Sequence, residues 1–370
     1  PDAFCLALKK AGYSFVTGVP DSLLKELSKN FIKKFKKNHI ISTNEGSAIG
    51  FAIGYYLNKK KPAVIYLQNS GLGNIVNPIT SLANPKVYGI PMLLIIGWRG
   101  EIKNKIQIDD EPQHKFQGEI TLKQLKLLNI PYEVIDSKTK NFTQMIKSLK
   151  KKSISYQTPV AIVVRKNTFM KSIHNFSDKK KYNFLREDVI KDIIKVTTDK
   201  NITIVSTTGM ASRELYELRK KNNQNHFKDF LTVGGMGHAS QIATGLAFNS
   251  KKKIICIDGD GSFLMHLGSI KSVGSFGSNN LKYILLNNNT HDSVGGQSTF
   301  MNNVNIKKLT NSLGFKNYYK ITSKLDINKK LKSFLNSKKL SFLEVCVSNC
   351  KLKNLPRPIN LKNIKKIFMS

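Results

Sequence analysis

The chain has 370 residues, a length that suggests two domains. Its 40% hydrophobic content supports ordinary globular cores, while the lack of any run of 18 apolar residues argues against a membrane-spanning helix. The formal charge of +36 rests on lysine far more than on arginine, with six arginines among 60 basic residues, so a solvated basic surface is expected rather than a nucleic-acid reader built on bidentate arginines.

The N-terminal Pro1-Asp2-Ala3-Phe4 does not read as a secretory signal. A helical pattern is expected over 22–36, following Gly18-Val19-Pro20-Asp21. A short strand leads to Glu45, and a helix of small residues is expected over 47–57. Nearly continuous apolar runs predict strands over 63–68, 92–98 and 160–165. The segment 166–186 has no apolar period and carries Met170, His174, Asp178 and Lys179 to Lys181, so it reads as a linker. Strands are again expected over 202–207, 253–257, 282–286 and 342–347, with a helix over 240–248. This alternation predicts two doubly wound parallel-sheet α/β domains, 1–165 and 187–370, of similar length and open to a structural relationship. The basic tail from Pro356 to Ser370 is expected to be peripheral. Cys5, Cys256, Cys346 and Cys350 lack the spacing of a metal site and read as thiols of a reducing cytoplasm.

The strongest chemical signal is Ile257-Asp258-Gly259-Asp260-Gly261-Ser262. A buried strand ends in glycines and runs into a helix N-terminus, which favours a phosphate. An aspartate there repels a phosphate unless a divalent cation stands between them. Leu286-Asn287-Asn288-Asn289-Thr290 ends the next strand, and adjacent strand ends of an open sheet face one crevice. Asp260 and Asn288 are therefore expected to meet on one hard cation, and an oxygen set suits Mg²⁺.

Gly259-Asp260-Gly261, 25 residues (262–286) and then Asn287-Asn288 resembles the cofactor motif of the thiamine diphosphate-dependent enzymes. The resemblance implies a pyrimidine-binding first domain and a diphosphate-binding second one, without a middle domain. It makes Asp260, Asn288 and the Thr290 carbonyl Mg²⁺ ligands and puts Gly261 and Ser262 by the diphosphate. Gly234-Gly235-Met236-Gly237-His238 resembles the loop whose bulky residue wedges the bent cofactor, with Met236 as wedge and the Gly234 carbonyl on the 4′-amino group. Thr208 and Gly209, at an earlier strand end, are further candidates for the diphosphate. His238 and His266 read as structural.

Activating this cofactor needs a buried carboxyl on the pyrimidine N1′. Glu45 is the only acid between Glu26 and Glu101, in Asn44-Glu45-Gly46-Ser47-Ala48-Ile49-Gly50. An acid in a helix first turn also suits the helix dipole, and the resemblance favours the catalytic role. It further implies at least a homodimer with sites at the subunit interface.

The blocks Gln68-Asn69-Ser70-Gly71-Leu72-Gly73-Asn74, Gly97-Trp98-Arg99-Gly100-Glu101, Asp110-Glu111-Pro112-Gln113-His114 and His291-Asp292-Ser293-Val294-Gly295-Gly296-Gln297 resemble the phosphonopyruvate decarboxylases and the related sulfopyruvate decarboxylases. The implied substrate is a 2-oxo acid with a second anion. Arg99 offers a bidentate grip on an oxyanion, and Gln113, His114 and His291 are the other candidate contacts. Asp21 is either a helix N-cap or a proton-transfer group, and His114 is a second candidate proton donor. The competing class is a non-catalytic basic protein, which predicts salt-sensitive nucleic-acid binding without thiamine dependence.

Overall fold

Apolar runs buried on both faces settle into two parallel sheets. The computed structural model describes residues 1–170, 182–198, 201–348, 355–356 and 358–370. The chain divides into two compact units, Pro1–Phe176 and Ser177–Ser370. The expected linker 166–186 spans that division, and its residues 171–181, with His174, Asp178 and Lys179 to Lys181, lie outside the described residues. So does Cys350, whereas Cys5, Cys256 and Cys346 are buried free thiols.

The first unit carries β1 (Val16–Gly18), β2 (His39–Ile41), β3 (Ala63–Gln68), β4 (Met92–Gly97), a small hairpin of β5 (Ile102–Lys103) and β6 (Ile106–Gln107), then β7 (Tyr132–Ile135) and β8 (Pro159–Val164). Its sheet runs β2-β1-β3-β4-β8-β7 and is parallel throughout. Strand side chains alternate between two cores. Val64, Tyr66, Leu93 and Ile95 pack into one, and Ile65, Leu67, Leu94 and Ile96 into the other.

The second unit carries β9 (Ile202–Ser206), β10 (Asp229–Leu231), β11 (Lys253–Gly259), β12 (Leu281–Asn287), β13 (Asn317–Ile321) and β14 (Ser341–Cys346). Its parallel sheet runs β10-β9-β11-β12-β14-β13, so the two units share one strand order, position by position. Ile255, Ile257 and Ile284 face one core, and Cys256, Tyr283 and Leu285 the other. Both units are therefore doubly wound α/β domains. In each, the order reverses beside the first strand, which opens a crevice beyond the strand carboxyl ends, between β1 and β3 or between β9 and β11.

All seven expected strands form, as β3, β4, β8, β9, β11, β12 and β14. The edge strands β7, β10 and β13 had no clear signal. They are short or carry polar residues such as Glu133 and Lys320, because one side of an edge meets water. The helix expected over 22–36 begins only at Lys25, since Asp21 Oδ2 accepts the Leu24 amide at 3.0 Å and holds residues 22–24 in a turn. The helix expected over 47–57 runs Glu45–Lys59, capped where Asn44 Oδ1 accepts the Ser47 amide at 2.8 Å. The tail forms a helix, Leu361–Met369, with Phe368 edge-on to Phe230. Among the described residues no helix is long and apolar enough to cross a membrane.

Candidate active site

In the second unit, β11 and β12 pair in register as far as Gly259 opposite Leu286. Asp260 and Asn288 thus follow neighbouring strand ends, as their spacing predicts. Asp260 is 4% exposed. Its Oδ1 accepts the Gly261 amide at 3.0 Å and its Oδ2 accepts the Thr299 hydroxyl at 2.7 Å. Burial pushes its pKa up to about 7, against these hydrogen bonds and the Arg186 charge. Asn288 Oδ1 accepts the Thr290 amide at 3.1 Å, and the loop closes where Thr299 donates its amide to the Asn289 carbonyl at 3.1 Å.

Ser262 joins three segments. Its Oγ accepts the Gly237 amide at 3.0 Å and lies 2.9 Å from Thr207 Oγ1. Beneath it, the fully buried Asp258 accepts the Tyr283 hydroxyl at 2.6 Å. Burial raises the Asp258 pKa, and hydrogen bonds from Ser262, Tyr283 and Thr207 oppose the rise. Gly261 is the meeting point of two candidates, since a Cβ there would lie 2.9 Å from His291 Nδ1 and 3.3 Å from the Met236 methyl. Burial pulls His291 down to about 4, so its imidazole is neutral near pH 7. Gly237 has φ +89°, and a Cβ there would meet the His266 ring at 2.4 Å, so this turn requires glycine. His238 and His266 sit ring to ring at 4.7 Å. Gly234 and Thr208 are half-buried.

The donor set fits a hard cation and a diphosphate. Asp260, the Asn288 amide and the Thr290 carbonyl offer only oxygen. Among the described residues, none beyond the chain neighbours comes within 4 Å of a Cβ added at Gly209 or Gly259, so the backbone there is open to a close-approaching anion.

In the first unit, Glu45 opens its helix and is 6% exposed. Its Oε2 accepts the Asn74 side-chain amide at 2.7 Å. Asp21 stands at the β1 end, 1% exposed, and both its oxygens are engaged, by the Leu24 amide and by Gln68 Nε2 at 2.6 Å. It therefore caps a turn and also ties that turn to the end of β3.

Arg99 is already held by the protein. Its Nε donates to Asp110 Oδ2 at 2.7 Å, and its terminal nitrogens reach Asp110 Oδ1, Ser22 Oγ and Glu111 Oε1. Burial alone would raise the Asp110 pKa, but the Arg99 guanidinium holds it far below the usual carboxylate range. His114 Nε2 lies 3.9 Å from Glu111 Oε1, while burial and the Arg99 charge lower its pKa. Gln113 Nε2 donates to Glu111 Oε2 at 2.8 Å. The block 110–114 is thus one polar cluster around Arg99.

Sequence reasoning missed Thr299, Asp258, Gln68 and Asn74 as partners of the site, while Thr207 falls in the strand-end segment Ser206 to Gly209 that it placed by the diphosphate. Gln68 and Asn74 lie in the segment Gln68 to Asn74 and Asp258 in the motif around Asp260, whereas Thr299 carries no local signal.

Residues 1–127 match the "Thiamine pyrophosphate enzyme, N-terminal TPP binding domain" family and residues 207–345 the "Thiamine pyrophosphate enzyme, C-terminal TPP binding domain" family. A phosphonopyruvate decarboxylase of Streptomyces viridochromogenes is 30% identical over 361 residues, covering 94% of this chain and 88% of the relative. A sulfopyruvate decarboxylase of Methanosarcina acetivorans is 27% identical over 368 residues, covering 94% and 92%. The alpha subunit of a Methanococcus maripaludis sulfopyruvate decarboxylase is 39% identical over 165 residues, covering 44% and 92%.

Proposed function

Since the chain belongs to the thiamine diphosphate-dependent 2-oxo acid decarboxylases, we propose that its substrate is 3-phosphonopyruvate, released as phosphonoacetaldehyde and carbon dioxide in phosphonate biosynthesis. The observation that carries this reading is the 30% identity to a phosphonopyruvate decarboxylase across 94% of the chain. The +36 charge adds a field that draws a multiply anionic substrate.

When bound, thiamine diphosphate supplies a nucleophilic ring carbon and an electron sink for the departing carboxylate. Asp260, Asn288 and the Thr290 carbonyl hold Mg²⁺. The Gly209, Gly259, Gly261 and Ser262 backbone, with Thr208, receives the diphosphate, while Met236 and the Gly234 carbonyl shape the pyrimidine side. Glu45 would hold a proton at its carboxyl, within reach of the pyrimidine ring. The Arg99 cluster orders Gln113 and His114 toward the substrate anion, with His291 as a further contact. Asp21 or His114 delivers the proton that the new aldehyde carbon requires. Each site takes Glu45 from one copy of the chain and Asp260 from a second, so the working unit is a homodimer or larger, in the cytoplasm.

The second reading is a sulfopyruvate decarboxylase, favoured by a relative of that name matched over 92% of its length. Carbon dioxide release from phosphonopyruvate, sulfopyruvate and pyruvate, each with and without thiamine diphosphate and Mg²⁺, separates the two. The expected result is the highest kcat/KM on phosphonopyruvate and no turnover without cofactor. A higher kcat/KM on sulfopyruvate sinks the first reading.

A further inference from the structure

Glu45 is gripped on one oxygen. The Asn74 amide donates to Oε2, whereas among the described residues no side chain donates to Oε1. Oε1 instead lies against Gly71, where a Cβ would stand 2.5 Å away. Gly71 and Asn74 both come from the segment just beyond β3, a turn Asn69–Gly71 followed by the helix Leu72–Pro78, which packs on the Glu45–Lys59 helix. Asn74 is solvent-exposed in the chain, so its amide has water as an alternative partner. The bond therefore matters on the Glu45 side, where it is the one side-chain donor that the buried carboxyl meets among the described residues.

We propose that Asn74 is a positioning residue for Glu45: it fixes Oε2, and Gly71 keeps clear the space in which Oε1 faces the pyrimidine nitrogen of the cofactor. The proposal rests on the reading of Glu45 given above. Proton sharing depends steeply on heavy-atom distance, so a carboxyl free to rotate away loses rate even when the cofactor stays bound. A glycine at 71 admits the carboxyl edge where any larger residue displaces it.

The test uses the full chain reconstituted with thiamine diphosphate and Mg²⁺. It reads proton–deuterium exchange at the cofactor C2 by NMR after acid quench, without substrate, beside the cofactor dissociation constant by calorimetry. Asn74→Ala is expected to slow exchange about 10- to 100-fold, as for loss of a hydrogen bond to a charged group, with affinity held within about threefold. Asn74→Asp keeps the shape but offers no amide donor and adds a like charge, so it should slow exchange at least as much. Gly71→Ala should also slow it. A packing role predicts instead that Asn74→Asp resembles the wild type, and that result overturns the proposal, as does a tenfold or larger loss of cofactor affinity in Asn74→Ala. Glu45→Gln separates the two levels. If it abolishes exchange while all three variants at Asn74 and Gly71 exchange normally, the positioning role falls and the role of Glu45 stands. Wild-type exchange in Glu45→Gln removes both.

Discussion

Thr207 Oγ1 and Ser262 Oγ lie 2.9 Å apart, and through Ser262 the end of β9, the end of β11 and the turn at Gly237 share one hydroxyl. All three segments border the crevice at the strand-order reversal, so a local change should be felt as cofactor affinity. Ser262→Ala strands the Gly237 amide, at a cost of about 1–3 kcal/mol for an unpaired buried group. The expected result is a thiamine diphosphate dissociation constant raised about tenfold or more, with substrate KM little changed at saturating cofactor. Calorimetric titration checks it; an unaltered constant would mean that the turn is held by other contacts.

Arg99 and Asp110 form a forked pair with side chains 15% and 10% exposed. Asp110→Asn keeps the shape and removes the anion, leaving a poorly solvated guanidinium beside Ser22 and Glu111. Loss of about 1–3 kcal/mol of stability is expected, read as a lower urea midpoint. If the cluster orders Gln113 and His114 for the substrate, KM rises in the same variant while cofactor affinity holds. A midpoint and a KM both equal to the wild type would argue that this pair orders nothing.

The positions that could be read from the chain are those whose signal is local. Asp260 and Asn288 sit in strand-end motifs, and the central strands β3, β4, β11 and β12 are apolar runs with no competing pattern. What could not be read are partners supplied by chain folding back on itself. Thr299 reaches Asp260 from 39 residues away, through a loop turning at Gly295 and Gly296, both with positive φ. Asn74 reaches Glu45 across 29 residues. Arg99 illustrates the same limit: its residue type suits an oxyanion, but Asp110, eleven residues on, occupies its fork. Side-chain type indicates what a group is able to bind, whereas the fold decides what it meets first.

Glu45→Gln and Asp260→Ala each remove one half of the proposed site, and each alone should be nearly inactive. If every site takes these residues from two copies, a mixed dimer regains one intact site of two. Random re-assortment of equal amounts therefore gives about a quarter of wild-type activity by two-fold symmetry. Co-expression followed by a decarboxylation assay supplies the measurement. No recovery, with mixed dimers demonstrated by differential tagging, would falsify the shared-site arrangement and assign Glu45 and Asp260 of one chain to one site.

His39, on the short strand β2 that leads to Glu45, carries a pH signature of its own. Its Nε2 lies 3.0 Å from the Tyr66 hydroxyl, with Phe31 beside it, and burial pulls its pKa down to about 4. A histidine in the unfolded chain titrates near 6.5, so below that pH the unfolded state takes up a proton that the folded state refuses. The stability linked to His39 is therefore present above about pH 6.5 and is lost as pH falls through about 4. His39→Gln cannot titrate in this range. The thermal midpoint of the wild type should accordingly fall further than that of the variant between pH 7 and pH 4.5. Parallel curves for the two proteins across that interval would show that His39 is already protonated, or free to become so, in the folded chain. Because β2 is only three residues long, the same acid step should loosen the strand that leads to Glu45. Decarboxylation should then lose rate in that interval in the wild type, and less so in the variant.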